Sequence, residues 1–313
     1  MSLPVVRAAD IEESPCGRRW LIEGLWVDQG VGIIGGQPKC CKSFLALDMA
    51  VAIASGKPCL RHYAVENPGT VLLYAAEDAL HVVKRRLSGI CQAAGVALGD
   101  LDIQVITASA VRLDQDQDRL ALTQCIKDMK PTILILDPFI RLHRIDENSS
   151  GEVAAILAYL RILNRTYGVA VAVVHHARKR SDARAGQSLR GSSEFHAWGD
   201  SNLYLQRDRD DLISLSIEHR SEHSETGISL ELRETSDALA LHKASTSPNP
   251  QPQEKTAEER IMESLLASPK PMSLEDLREA CRLRRNTVCD GLRKLMVQGT
   301  VSKNQTGYSA INN

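Results

Sequence analysis

The stretch that decides the fold is GVGIIGGQPKCCKSFLALDMAVAIASG, residues 30–56. It opens with a short apolar run ending at Ile34, suited to a buried strand. A glycine-led loop follows, and a helical pattern starts at about Lys42. Within it, Gly36-Gln37-Pro38-Lys39-Cys40-Cys41-Lys42-Ser43 matches the phosphate-binding pattern G-x-x-x-x-G-K-[ST] at every position but one. Backbone N–H groups of such a loop, with the helix N-terminus behind it, hold a triphosphate. Lys42 is then placed to reach the β- and γ-phosphates, and Ser43 to hold Mg²⁺. With Phe44 next in line, residues 36–44 form the expected nucleotide-binding segment. The exception is Cys41, which stands where the pattern has glycine. Glycine is used where a Cβ would clash or φ must be positive. The thiol therefore implies either a slightly opened loop or weaker nucleotide binding. The plain alternative is a strand, a turn and a core helix with no ligand, so the surrounding chain has to decide.

Working outward, Val71 to Ala76 is a second apolar run, and it ends in Glu77-Asp78. In α/β folds ligand chemistry sits at the carboxyl ends of strands. Glu77 is expected there as the group that orients and deprotonates an attacking water. Asp78 reads as a cap of the helix that follows. Thr132 to Asp137 is a third apolar run ending in a carboxylate, which fits the Mg²⁺ water shell. Val169 to His176 is a fourth, closing on two histidines. Adjacent strand residues point to opposite faces, which disfavours a metal pair. His176 is the expected contact to the γ-phosphate. The next segment, 177–190, is basic and aperiodic. Its Arg178, Lys179, Arg180, Arg184 and Arg190 are expected to meet a DNA backbone.

Other elements are more ordinary. Trp20, Leu21, Leu25 and Trp26 read as core or sheet-edge residues in preference to base-stacking ones. Strands are expected at 103–107 and 202–206, and helices at 119–129 and 151–164, with a polar loop over 141–151. Alternation at 213–217 and 228–232 predicts an antiparallel hairpin. Arg220 lies between its strands, where it suits an arginine finger reaching a neighbouring subunit's γ-phosphate.

The chain divides into a lead-in (1–29), an ATPase domain (30–241), a Pro/Gln-rich linker (242–255) and a small terminal domain (256–313). In the last, Ser273 with Asp276 reads as a helix cap. Helix, short helix, turn and helix followed by a short wing is the helix-turn-helix order. Arg284, Arg285, Arg293 and Lys294 give its third helix a basic face for DNA, with protein docking as the alternative.

Bulk properties narrow the classes. The 313 residues carry a formal charge of −1, so any nucleic-acid contact must come from local patches. The eight cysteines show no C-x-x-C pair and read as thiols of a cytoplasmic protein. No run is long enough for a bilayer span, no leader pattern is expected, and no membrane partner follows. The dinucleotide fingerprint is absent, which disfavours a Rossmann dehydrogenase.

Residues 30 to about 233 resemble a RecA-like ATPase, nearest to RepA-type hexameric replicative helicases and AAA_25-class ATPases of plasmids, phages and mobile elements. The resemblance rests on GGQPKCCKS (35–43), LLYAAED (72–78), TILILDPF (132–139), VVHHARK (173–179) and LRGSSEFHAWGDSNLYL (189–205). It implies an α/β P-loop NTPase fold with a mostly parallel sheet flanked by helices, followed by a small winged-helix domain. It implies ATP and Mg²⁺ at Lys42 and Ser43, Glu77 on the water, Asp137 on the metal, and His176 as sensor. Arg190 and Asp200 fall in a further family segment, and Arg220 in the region of the trans-acting arginine. A hexameric ring with single-stranded DNA in its channel is implied, with segment 177–190 facing the strand. The terminal domain would meet a replication or recombination partner. The implied function is Mg-dependent ATP hydrolysis coupled to binding or movement on DNA, as in a replicative helicase. The alternatives are a recombination- or transposition-associated ATPase that does not unwind, and a nucleotide-dependent DNA adaptor with weak turnover.

Overall fold

The structure is a computed structural model that describes residues 3, 5–10, 20–176, 194–207, 212–235, 238–244, 257–268, 270–281, 285–297, 299–304 and 307–310. The chain forms two compact units, Met1–Ser245 and Thr246–Asn313.

In the first unit the strands are β1 (Trp20–Ile22), β2 (Trp26–Val27), β3 (Val31–Gly36), β4 (Val71–Ala75), β5 (Ile103–Val105), β6 (Ile133–Asp137), β7 (Ala170–His176), β8 (Ser201–Arg207), β9 (Ile213–His219), β10 (Glu225–Thr235) and β11 (Ala238–Lys243). The helices are α1 (Lys42–Ser55), α2 (Leu80–Ala94), α3 (Asp116–Met129), α4 (Ser150–Tyr167) and α5 (Glu194–Trp198). β1 and β2 pair with each other. The rest form one nine-stranded sheet in the order β11-β10-β9-β8-β3-β7-β6-β4-β5. Neighbours from β8 to β5 run parallel, and β9, β10 and β11 continue antiparallel.

The central strands are continuous apolar runs because helices cover both faces. Their alternation sorts side chains into two cores. Ile34, Ile133, Ile135 and Val174 pack with α1 and α2 residues such as Leu45, Met49, Val83 and Leu87. Ile33, Leu134, Leu136 and Val173 pack on the other face with Leu122, Ile126, Ile156 and Leu160 of α3 and α4. This fixes the carboxyl ends of the parallel strands along one edge, where the loops after β3, β4, β6 and β7 meet.

Several expectations need adjustment. The predicted two-stranded hairpin is three-stranded, because β11 returns along β10. β11 lies so close to α2 that a Cβ on Gly89 would sit 3.1 Å from the Leu239 amide nitrogen. The absence of a side chain there lets the strand dock on the helix. α3 and α4 are longer than predicted, and β5 stops at Val105. Leu21, Ile22, Leu25 and Trp26 are buried in the first core, and Trp26 Nε1 donates to Gly30 O at 3.2 Å. Four residues of the Trp20–Val27 stretch thus belong to this unit's core, and none of the stretch lines the cavity described below.

The second unit holds α6 (Ala257–Ala267), α7 (Leu274–Cys281), α8 (Arg285–Val297), β12 (Val301–Asn304) and β13 (Gly307–Ala310). Its hairpin is antiparallel, and its core gathers Ile261, Leu265, Leu277, Val288, Leu292, Leu295 and Val301. The cap expected at Ser273 is present. The Asp276 amide donates to Ser273 Oγ at 3.2 Å, and the Ser273 amide donates back to Asp276 Oδ2 at 3.1 Å. Among the described residues no helix is long and apolar enough to cross a membrane.

Candidate nucleotide site

A cavity of about 340 Å³ opens at the carboxyl ends of β3, β4, β6 and β7. Lys39 to Phe44 form one wall, and Glu77, Asp78, Asp137 and His176 reach it from three other strand ends, with Arg86 from α2. The loop geometry explains its residues. A Cβ on Gly36, at φ 155°, would lie 2.7 Å from Cys40 Sγ and closer still to Leu205 O, so only glycine fits. Gly36, Gln37 and Pro38 shape the loop without lining the cavity. Cys41 has φ 66° and ψ 25°, the left-handed conformation that favours glycine. The thiol is thus accommodated by strain at its own backbone, which costs about 1–2 kcal/mol.

Lys42 is 4% exposed. Its Nζ donates to Gln37 O at 2.7 Å and approaches Cys40 Sγ at 3.8 Å. Burial lowers its pKa, with Cys40, Asp137 and Glu77 acting against that. Burial also raises the Cys40 and Cys41 thiols, so both stay protonated near neutrality. Asp137 is pushed up to about 6, first by burial and then by the Glu77 and Asp78 carboxylates, while the Ser43 hydroxyl and Lys42 oppose this.

Those features fit a phosphate and a hard cation together. Ser43 hydrogen-bonds to Asp137, and the crowded carboxylates around it are relieved by positive charge. Among the described residues no cluster of three or more His, Cys, Asp or Glu forms a closed metal cage. Mg²⁺ needs none, because it keeps several waters and takes phosphate oxygens.

The two histidines separate as strand alternation requires. His175 is buried and stacked on Phe195 at 4.1 Å, with Phe139 edge-on. His176 lines the cavity.

Two residues in the site were not anticipated. Arg141, in the turn after β6, donates from Nε to Glu77 Oε1 at 3.2 Å. Arg86 pairs with Asp78 and lies over the Phe44 ring, 5.3 Å from its centroid. The expectation that Asp78 caps α2 is therefore corrected: the N-cap residue is Ala79, with no side-chain cap, and the Asp78 carboxylate is taken by Arg86. A basic residue nine positions after Glu77 was visible in the sequence, but one turn of helix more or less would have moved it out of the site.

Arg220 lies at the other end of the sheet, where its amide donates to Asp200 O at 3.0 Å. Its Nε is 3.6 Å from Asp200 Oδ1. Arg178, Lys179, Arg180, Arg184, Arg190 and Arg284 lie outside the described residues. Arg285 opens α8, and its side chain is likewise outside them. Arg293 pairs with Asp290 at 3.3 Å, and Lys294 with Glu258 at 2.8 Å, which ties α8 to α6.

Residues 1–182 match the family described as AAA_25, an AAA domain. Comparison with curated proteins gave no match. Among solved structures the chain is similar to one titled "The Structure Of A DnaB-Like Replicative Helicase And Its Interactions With Primase". The TM-score is 0.53 at 16% identity, over 68% of this chain and 57% of that one. At that identity the likeness is one of fold, and the chain spans little more than half the length of that relative.

Proposed function

Because the chain belongs to the AAA_25 family of AAA domains, we propose that it hydrolyses ATP at the Lys42–Asp137–Glu77 cavity and couples hydrolysis to DNA, as a replicative-type helicase does. The observation that supports this is the convergence of the 39–44 loop, Glu77, Asp137 and His176 in one cavity.

The reaction is in-line attack of water on the γ-phosphate. Lys42, drawn from its contacts with Gln37 and Cys40, neutralises charge developing on the phosphates. Glu77, held by Arg141, orients the water and accepts its proton. Ser43 and Asp137 would hold Mg²⁺, which supplies further neutralisation of the phosphate oxygens. His176, which lines the cavity and ends the strand before the basic segment 177–190, would bond the γ-phosphate. Loss of the phosphate would then be felt by the DNA-contacting segment.

Arg220 lies at the end of the sheet opposite its own phosphate loop, beside Asp200 at the start of β3. If it serves hydrolysis, it serves a neighbour in a ring of copies. The second unit, with three helices and a β-hairpin, reads as a winged helix that meets DNA or a replication partner.

The test is ATP turnover of Glu77→Gln at saturating single-stranded DNA, beside nucleotide affinity. Loss of turnover with affinity kept supports the assignment; near-normal turnover removes Glu77 from it. A strand-displacement assay with ATP distinguishes an unwinding motor from an ATPase that only assembles on DNA.

A further inference from the structure

The turn after β6 is held from below. Phe139, Leu142 and His143 are buried, while Ile140 and Arg141 between them are exposed. Backbone bonds close the turn. The Arg141 amide donates to Pro138 O at 3.1 Å, the Leu142 amide to Phe139 O at 2.8 Å, and the Leu113 amide to Leu142 O at 2.6 Å. The Arg112 guanidinium donates to Arg141 O.

Of the three buried side chains His143 is the polar one, and packing alone does not account for it. Its ring centroid lies 4.4 Å from that of Phe139, which meets His175 of β7 and Phe195 of α5 edge-on. An apolar side chain of similar size would fill that place without burying two ring nitrogens. Among the described residues neither nitrogen of His143 makes a hydrogen bond, which is destabilising for a buried polar group. What stands opposite is the Glu147 carboxylate, with Oε1 3.5 Å from Nε2 and 11% of that side chain exposed. A charge so placed is little screened by water and fixes how the ring sits. The pair closes the chain over 143–147, two residues beyond Arg141.

Arg141 has no comparable anchor for its own side chain. Its Nε donates to Glu77 Oε1, yet both side chains are largely open to solvent, where an ion pair holds its geometry poorly. The guanidinium is therefore placed by the turn, and the turn by what lies beneath it.

We infer that His143 is a positioning residue for hydrolysis: facing Glu147 and packed on Phe139, it holds the turn that sets Arg141 against Glu77. This rests on the ATPase reading above and extends it to a residue that does not line the cavity. His143 acts only through Arg141.

A double-mutant cycle on ATP turnover tests this. His143→Leu keeps an apolar filling on Phe139 and removes the group facing Glu147. It should lower kcat about five- to tenfold, no further than Arg141→Ala, with nucleotide affinity within about twofold. In an Arg141→Ala background the same change should lower turnover by less than about twofold, because the residue it acts through is gone. His143→Gln, which keeps a donor toward Glu147, should retain at least about half of wild-type turnover. A merely structural histidine would give losses that multiply, and nucleotide affinity would fall in step. Multiplying losses, or a His143→Gln protein as slow as His143→Leu, overturn the inference.

Glu77→Gln is the control. Near-normal turnover in it means that the ATPase assignment has failed, and the role of His143 with it. Loss in Glu77→Gln beside full turnover in Arg141→Ala or His143→Leu overturns the role of His143 alone. If His143→Leu does not fold, Glu147→Gln carries the test, since it leaves the imidazole in place and removes the charge facing it. It should show the same loss and the same coupling to Arg141→Ala, and wild-type turnover in it overturns the inference.

Discussion

Arg141 Nε donates to Glu77 Oε1 at 3.2 Å, joining the turn after β6 to the end of β4. Both side chains are partly open to solvent, 59% and 44% exposed, so the pair contributes little to stability. Its consequence is orientation of the carboxylate proposed to take the water's proton. Arg141→Ala should lower ATP turnover by about tenfold, while Glu77→Gln lowers it by about 10²-fold or more. Neither should change thermal stability by more than about 1 kcal/mol. Equal turnover in wild type and Arg141→Ala would show that Glu77 needs no such support.

The Asp137 carboxyl gives the site a pH signature. Its folded pKa of about 6 exceeds the ordinary 3.8. A carboxyl with a raised folded pKa contributes stability in full below about pH 4, and that contribution is lost as pH rises through 6. The loss is on the order of 3 kcal/mol. Nucleotide-free wild type should therefore lose thermal stability between about pH 4 and pH 6, and Asp137→Asn, which stays neutral, should lose much less. Parallel melting curves for the two proteins would rule out Asp137 as the source. Mg–ADP should stabilise wild type more at pH 7.5 than at pH 5, because the cation favours the ionised carboxylate.

Cys41 and Gly36 predict opposite outcomes for changes to the same loop. Cys41→Gly releases the strain of a left-handed residue bearing a Cβ, and should raise stability by about 1 kcal/mol, a few degrees in Tm. Nucleotide affinity should hold or improve. Gly36→Ala places a Cβ against Cys40 Sγ at 2.7 Å and must shift the loop. Its nucleotide affinity should fall at least tenfold by equilibrium titration. A tight-binding Gly36→Ala protein would mean that the loop has slack that this geometry denies.

Below the loop, Asp48 of α1 is buried and accepts from the Leu60 amide at 2.7 Å and from Arg61. Leu60 and Arg61 both have positive φ, 52° and 60°. The carboxylate thus holds a strained turn against the middle of α1. Asp48→Ala leaves Arg61 and the turn without that partner, and should cost about 3–5 kcal/mol in urea unfolding. A loss under 1 kcal/mol would place the turn's support elsewhere.

Much of the site was legible in short windows. The strand-loop-helix at 31–55, the carboxylates closing β4 and β6, and the Ser273–Asp276 cap depend on backbone sterics and hydrogen bonds within a few residues. Such local patterns do not depend on how strands are ordered. The third strand of the predicted hairpin was missed because Ala238–Lys243 has small residues and little β-branching, and it becomes a strand by pairing with β10 and docking on α2.

By itself, then, the sequence determined that a loop of phosphate-binding pattern follows a buried strand, and that acidic residues follow or end two others. The tertiary structure alone decided which charges meet. Arg141 reaches Glu77 because β4 and β6 are neighbours, Arg86 takes Asp78 because α2 turns it inward, and Arg220 finds Asp200 and Arg161 because β8, β9 and α4 meet at the start of β3. Partners that lie 64 or 39 residues apart are joined by strand order and helix packing. No local preference of the chain specifies that order, since it emerges only when both faces of the sheet are buried at once.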